Sequence, residues 1–219
     1  MSTRDLLRAN DARFSALAAG FSADDWSQPS LCDGWTNHDV LAHLVVGYSA
    51  GAGAVTAEML CHRGSFDGAN AAMARAVAAS RAPADLLDDF EQLTQRPHGL
   101  GRYFPPRLLL GDHITHELDM VFALGREPAV PVDALVAVLN TQVRVPNPFV
   151  PAFRNSRELR LIATDVEWTH GDRGPLVRGR AADLVSVLGN RPARLARLDG
   201  DGVDLLASRL SRHLSRKGG

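Results

Sequence analysis

The residues best placed to do chemistry lie in one stretch, Gly111-Asp112-His113-Ile114-Thr115-His116-Glu117-Leu118-Asp119. Asp112 and His116 are four positions apart, so on a helix they stand one turn above each other on the same face, where a carboxylate and an imidazole can grip one cation. Leu108, Leu109, Leu110, Ile114, Leu118, Met120, Val121 and Leu124 surround that face with hydrocarbon. This predicts a helix buried nearly all round, on which polar groups need partners. A third ligand must come from elsewhere, and His43, mid-helix beside Val40, Val46 and Gly47, is the best candidate. Two imidazoles and a carboxylate from two helices are the ligand set of a catalytic zinc site with an open position, and they also suit non-haem iron, nickel or manganese. Taken singly, the residues allow blander readings. His43 alone fits a core histidine bonded to a carbonyl, and Asp112 with His116 fits a buried ion pair.

Around this constellation, Asp119, three residues after His116, can orient that imidazole from outside the ligand set, or it can be a capping or surface carboxylate. His113 is a quarter turn off the ligand face and reads as a packing or surface residue. Trp35 and Tyr48 read as core or pocket wall. Arg102, Arg154, Arg157 and Arg191 carry a guanidinium fork suited to a substrate carboxylate, each weighed against a solvated surface role. Cys32 has no base beside it in sequence and is expected to be structural. The two cysteines, Cys32 and Cys61, lack CxxC spacing, which suggests neither a cysteine-rich zinc site nor a disulfide framework.

These residues must be positioned by helices. Ser2 or Thr3 can cap a first helix to about residue 19, with a short helical turn possible at 23–26. Thr36 with Asp39 forms a capping-box pattern that starts a second helix near Asn37, running through Gly47, Gly51 and Gly53 to about His62. Those glycines weaken a helix by about 1 kcal/mol each relative to alanine and suggest close packing or room for a ligand. Residues 63–82 are alanine-rich and partly helical in pattern. Pro83 opens a helix to about Arg96, a further helix spans about 107–124 and ends at Gly125, and another spans 132–145. Past Pro146-Asn147-Pro148 the pattern changes to strands at 159–164, 166–170 and 176–179, with helices at 181–188 and 203–214. The expected organisation is mainly α, with a helical bundle over 1–148 and a small α/β domain over 149–219.

The chain has 219 residues, 45% hydrophobic and 22% charged, with net charge −1. That describes an ordinary soluble protein and gives no support for a nucleic-acid partner or an anionic membrane surface. No helix-turn-helix pattern occurs. The N-terminus has no apolar signal core and no run approaches a membrane span, so a cytoplasmic location is expected.

Pro29-Ser30-Leu31-Cys32-Asp33-Gly34-Trp35-Thr36 with Asp39-Val40-Leu41-Ala42-His43-Leu44 resembles the signature of the mycothiol-dependent maleylpyruvate isomerase family, within the DinB-like metalloenzymes. His116-Glu117-Leu118-Asp119 leading to Ala123-Leu124-Gly125 resembles that family's second metal-bearing helix. Arg160 to Asp165 with Trp168, Val177-Arg178-Gly179, and Leu188 to Pro192 resemble its C-terminal domain. The resemblance implies a DinB-like four-helix bundle carrying a divalent metal, usually zinc, followed by a sterol-carrier-like α/β domain. It puts His43, Asp112 and His116 on the metal positions. The chain departs from the family at Asp112, where glutamate is common; a side chain one methylene shorter coordinates if the helices approach more closely.

The implied activity is that of a thiol transferase or isomerase. A cation with an open position makes a bound thiol a thiolate at neutral pH. In the family that thiol is mycothiol, a sugar-based thiol of actinobacteria, and its partner here would be a small electrophile. The alternatives are a non-catalytic metal-binding or stress-related protein of the same fold, and a metal hydrolase acting through water. A homodimer is compatible with all three.

Overall fold

The structure is a computed structural model that describes residues 1–147 and 150–217. It divides into two compact units, Met1–Glu127 and Pro128–Gly219. The first contains α1 (Thr3–Ala18), α2 (Ala23–Ser27), α3 (Asn37–Ser49), α4 (Ala52–Cys61), α5 (Phe66–Ser80), α6 (Pro83–Gln95), a 3-10 turn (Leu100–Tyr103) and α7 (Pro106–Ala123). The second contains α8 (Val132–Gln142), α9 (Ala152–Ser156), β1 (Arg160–Ala163), β2 (Thr169–His170), β3 (Leu176–Gly179), α10 (Ala181–Leu188), the 3-10 turn Pro192–Arg197 and α11 (Val203–Lys217). The change in sequence character expected at residue 148 falls outside the described residues. The units part earlier, after Glu127, because α8 packs on α10, where Gln142 Nε2 donates to Val185 O at 3.2 Å.

In the first unit α1, α3, α6 and α7 form a four-helix bundle, with α5 laid along α3. Local chemistry sets the helix ends. Ser2 and Thr36 close capping boxes with Asp5 and Asp39, each satisfying backbone donors that would otherwise be orphaned. Pro83 opens α6 at its first turn. α7 ends in a Schellman motif: Gly125 adopts φ +65° and Arg126 N donates to Val121 O at 3.0 Å. Phe14 and Phe90 meet edge to face at 5.4 Å in a core shared with Leu41, Leu44, Leu86 and Met120.

The helix expected to run unbroken from Asn37 to His62 is in fact two. α3 stops at Ser49, where the chain before α7 takes over its last carbonyls. Gly99 N donates to Tyr48 O at 2.8 Å and Leu100 N to Ala50 O at 2.9 Å. A Cβ on Gly99 would collide with the Ser49–Ala50 backbone, and one on Gly101 with Gly47 O. The close approach thus falls on Gly99 and Gly101, while Gly47, Gly51 and Gly53 have open space around them.

A polar seam joins α1 to α7. Asp11 Oδ1 lies 2.7 Å from His113 Nδ1, with both side chains buried, and Arg13 forks onto Glu117 while also donating to Asn10 Oδ1 at 2.8 Å. His113, expected on a packing or surface position, is therefore a buried ion-pair member. Burial opposes its charge, but the Asp11 carboxylate outweighs burial and raises the imidazole above its usual value of 6.5.

In the second unit the sheet order is β2-β1-β3, with β1 antiparallel to β2 (Leu161 opposite His170) and parallel to β3 (Leu161 opposite Val177). Leu161, Val177, Leu184, Val185 and Leu188 form its interior. The whole is mainly helical with a small α/β part, as the sequence predicts. Among the described residues no helix is long and apolar enough to cross a membrane.

Phe90→Ala should lower the unfolding free energy by about 3–5 kcal/mol in urea titrations; a loss below about 1 kcal/mol would mean that the Phe14–Phe90 contact does not organise the bundle. A raised histidine pKa contributes stability below the unfolded value and loses it as pH rises through the folded value. The stability gap between wild type and Asp11→Asn, measured on chelated protein, should accordingly be larger at about pH 5.5 than at about pH 8.5. A gap that widened with pH would contradict the Asp11–His113 assignment.

Candidate metal centre

Four elements converge on one point of the first unit. α3, started by the Thr36 cap, presents His43 seven residues on, two turns into the helix. α7 presents Asp112, His116 and Asp119 on one face, with His113 and Glu117 turned to α1. α5 supplies Asn70, and the loop before α3 supplies Cys32 and Trp35.

The two imidazoles stand edge to face at 4.6 Å between centroids. His43 Nδ1 is 3.0 Å from Asn70 Oδ1, and His116 Nδ1 is 3.1 Å from Asp119 Oδ2. Both partners are oxygen acceptors, so each ring carries its proton on Nδ1 and turns the lone pair of Nε2 the other way. Both Nε2 atoms face the same carboxylate: His43 Nε2 lies 3.5 Å from Asp112 Oδ2 and His116 Nε2 lies 3.6 Å from Asp112 Oδ1. His43 Nε2 is buried with no hydrogen-bond partner among the described residues. An orphaned lone pair of that kind calls for an explanation.

A divalent cation supplies one. Around a tetrahedral ion with nitrogen and oxygen ligands at about 2.0–2.2 Å, neighbouring ligand atoms stand roughly 3.3–3.6 Å apart, which is the separation found between each imidazole nitrogen and Asp112. The donor atoms of His43, Asp112 and His116 all lie within 4.8 Å of one another. Burial works against ionising Asp112, yet the His116, His43 and His113 imidazoles outweigh it and hold the carboxyl well below the usual carboxylate range. Burial pushes the His116 imidazole down, against Asp112 and Asp119, which raise it, and so favours the neutral form that metal binding requires. Trp35 covers the pair, its ring 5.4 Å from His43 and nearly parallel to His116 at 6.3 Å. Asp112 is the open side, with its side chain 40% exposed against 12% and 11% for the two histidines.

Of the residues anticipated from sequence, His43, Asp112, His116, Asp119 and Trp35 come together here. Tyr48 does not. It lies five residues after His43, about 140° further round α3, and its ring packs in the core against His113 at 5.2 Å and Phe90 at 6.3 Å. Arg102, on the 3-10 turn before α7, is solvent-exposed and stacks over Tyr103 at 4.5 Å rather than on either imidazole. Arg191 belongs to the second unit, where Nη1 donates to Gly189 O at 2.6 Å; Arg154 and Arg157 lie in that unit as well.

Two residues of the cluster carry no signal strong enough to be found from sequence. Asn70 sits in an alanine-rich helix with nothing to single it out. Cys32, expected to be structural for want of a neighbouring base, lies 3.0 Å from Asp119 Oδ2 and 3.6 Å from His116 Nδ1. Its Sγ, with those two atoms, forms a second set of donors within 4.8 Å of one another.

Two solved structures share the fold: a mycothiol-dependent maleylpyruvate isomerase (TM-score 0.57, 14% identity) and a histidine-to-alanine variant of such an enzyme (TM-score 0.56, 13% identity), with 91% of each chain covered in both cases. No curated protein matches by sequence. The sequence profile of the mycothiol maleylpyruvate isomerase N-terminal domain matches residues 7–119, the segment that holds His43, Asn70, Asp112, His116 and Asp119. With more than half of its 219 residues under that match, the chain belongs to the mycothiol maleylpyruvate isomerase family.

Proposed function

We propose that this protein is a metal-dependent enzyme that uses a low-molecular-weight thiol, mycothiol by family, to attack a small electrophile. The reading rests on one observation. Two imidazoles, each with its Nδ1 already engaged, aim Nε2 at the two oxygens of one carboxylate.

His43, Asp112 and His116 would hold the cation, zinc first among the metals this donor set suits, with nickel, iron and manganese as alternatives. A cation so held with an open position supplies a thiolate at neutral pH, because it lowers the pKa of a bound thiol. The rest is done by the chain. Asn70 and Asp119 fix the tautomer and tilt of the two rings. Trp35 shields them from water on one side, which strengthens the attraction between the ligands and any charge they hold. Asp112, half-buried at the rim, would leave the approach for thiol and electrophile on its own side. The thiolate sulfur would add to one carbon of a carbon–carbon double bond conjugated to a carbonyl, breaking the π bond and moving its electron pair to the carbonyl oxygen as an enolate. After rotation about the single bond so formed, collapse of the enolate expels the thiolate, re-forms the double bond and gives isomerisation; protonation of the enolate by solvent instead keeps the C–S bond and gives S-transfer.

Protein purified without chelators or an affinity tag that binds metal should carry about one zinc, or another divalent ion, per chain, and His43→Ala should carry little, as measured by elemental analysis. Metal-free wild-type protein that also fails to take up zinc would end this reading. His116→Ala should remain folded by circular dichroism and lose thiol-dependent turnover by at least about a hundredfold. Turnover in wild type without any added thiol would instead mark a hydrolase.

A further inference from the structure

His116 is governed from behind by a relay that begins on a different segment of the chain. Asp119 is fully buried, and its Oδ2 is shared: His116 Nδ1 lies 3.1 Å away and Cys32 Sγ 3.0 Å away. A carboxylate oxygen accepts only, so both groups donate to it, the imidazole through N–H and the cysteine through S–H. Cys32 does not sit there by chance of a mobile loop. Its own N–H donates to Ser30 Oγ at 3.1 Å, its carbonyl accepts from Trp35 N at 3.0 Å, and Pro29 and Thr36 close the loop as a β-bridge. The preceding residue binds the same aspartate by its backbone, Leu31 N donating to Asp119 O at 3.2 Å. The loop therefore engages Asp119 twice, through the main chain and through the thiol, and lays Trp35 against both histidines.

We propose that Cys32 is a positioning residue for the metal centre: its thiol holds the Asp119 carboxylate, and through it the His116 imidazole, in the orientation that presents Nε2 to a cation. The proposal rests on the metal-site reading given above. The physical basis is that a buried carboxylate with one donor removed is less well satisfied and less firmly held, so the hydrogen bond that orients His116 loosens. The competing role for the same atoms, Cys32 as a ligand, requires His116 to surrender the Nδ1 proton it gives to Asp119. The 3.0 Å separation of sulfur from carboxylate oxygen is that of a donor and its acceptor.

Zinc affinity, measured on the full chain by competition with a chromophoric chelator, separates these possibilities. Cys32→Ala should weaken binding by roughly ten- to a hundredfold, the range seen when outer partners of a ligand are removed. Cys32→Ser, which keeps a donor, should recover most of the loss. In an Asp119→Ala background Cys32→Ala should add little, because the two act through one contact. Should the alanine variant fail to fold, Cys32→Val removes the donor at similar volume. Unchanged affinity without the thiol, no recovery with serine, or fully additive losses would each overturn the proposal while leaving zinc binding by the wild type intact. Failure of the wild type to bind zinc would overturn the metal reading itself. A cobalt-loaded protein should show no thiolate-to-metal charge-transfer band; such a band, lost in Cys32→Ser, would make Cys32 a ligand and not a positioning residue.

Discussion

From His113 to Val121 α7 has no solvent face, so each polar side chain there must find its partner inside the protein. That demand sets the plan of the first unit. His113 and Glu117 are met by Asp11 and Arg13 of α1, Thr115 by the carbonyl of Gly111 one turn back, and Asp119 by His116 and the Cys32 loop. Asp112 and His116 are left facing His43. The bundle is held by apolar packing around Phe14 and Phe90, but its register is fixed by charge, since a helix slipped by one residue would strand several buried ionisable groups, each at a cost of several kcal/mol.

The two faces of α7 serve different ends. On the α1 side each ionisable group of α7 meets one of opposite kind, His113 on Asp11 and Glu117 on Arg13. On the α3 side the same residue types are arranged so that lone pairs converge without protons between them. The difference arises from what stands behind each ring. His113 spends Nδ1 on a carboxylate and is driven toward the cation form. Burial depresses the His116 pKa, although Asp119 and Asp112 push the other way. One helix thereby carries, within a single turn, one histidine drawn toward its charged form and one drawn toward its neutral form.

How much of this was legible in the sequence depended on whether the information was local. Spacing alone placed Asp112, His116 and Asp119 on one face, and the Thr36–Asp39 cap with the motif around it placed His43 on a helix start that the structure reproduces. Helix ends marked by Pro83 and Gly125 were equally readable. What needed tertiary contact was not. Tyr48 has the residue type of a pocket wall, and only the packing of α3 turns it into the core. Asn70 becomes visible only when α5 lies along α3, and Cys32 only when its loop folds back to Asp119. α8 has the periodicity of a bundle helix, yet its apolar face closes on α10, which is why the units part at Glu127 and not where the composition shifts.

The strap formed by Gly99 and Leu100 on the end of α3 also sets how the chain enters α7. Gly101, set against the carbonyl of Gly47 with no room for a Cβ, lets the segment leading into α7 lie directly on α3. Any side chain at position 101 would have to push these two main chains apart, so the approach of the segment to α3 is written into a residue that carries no functional group.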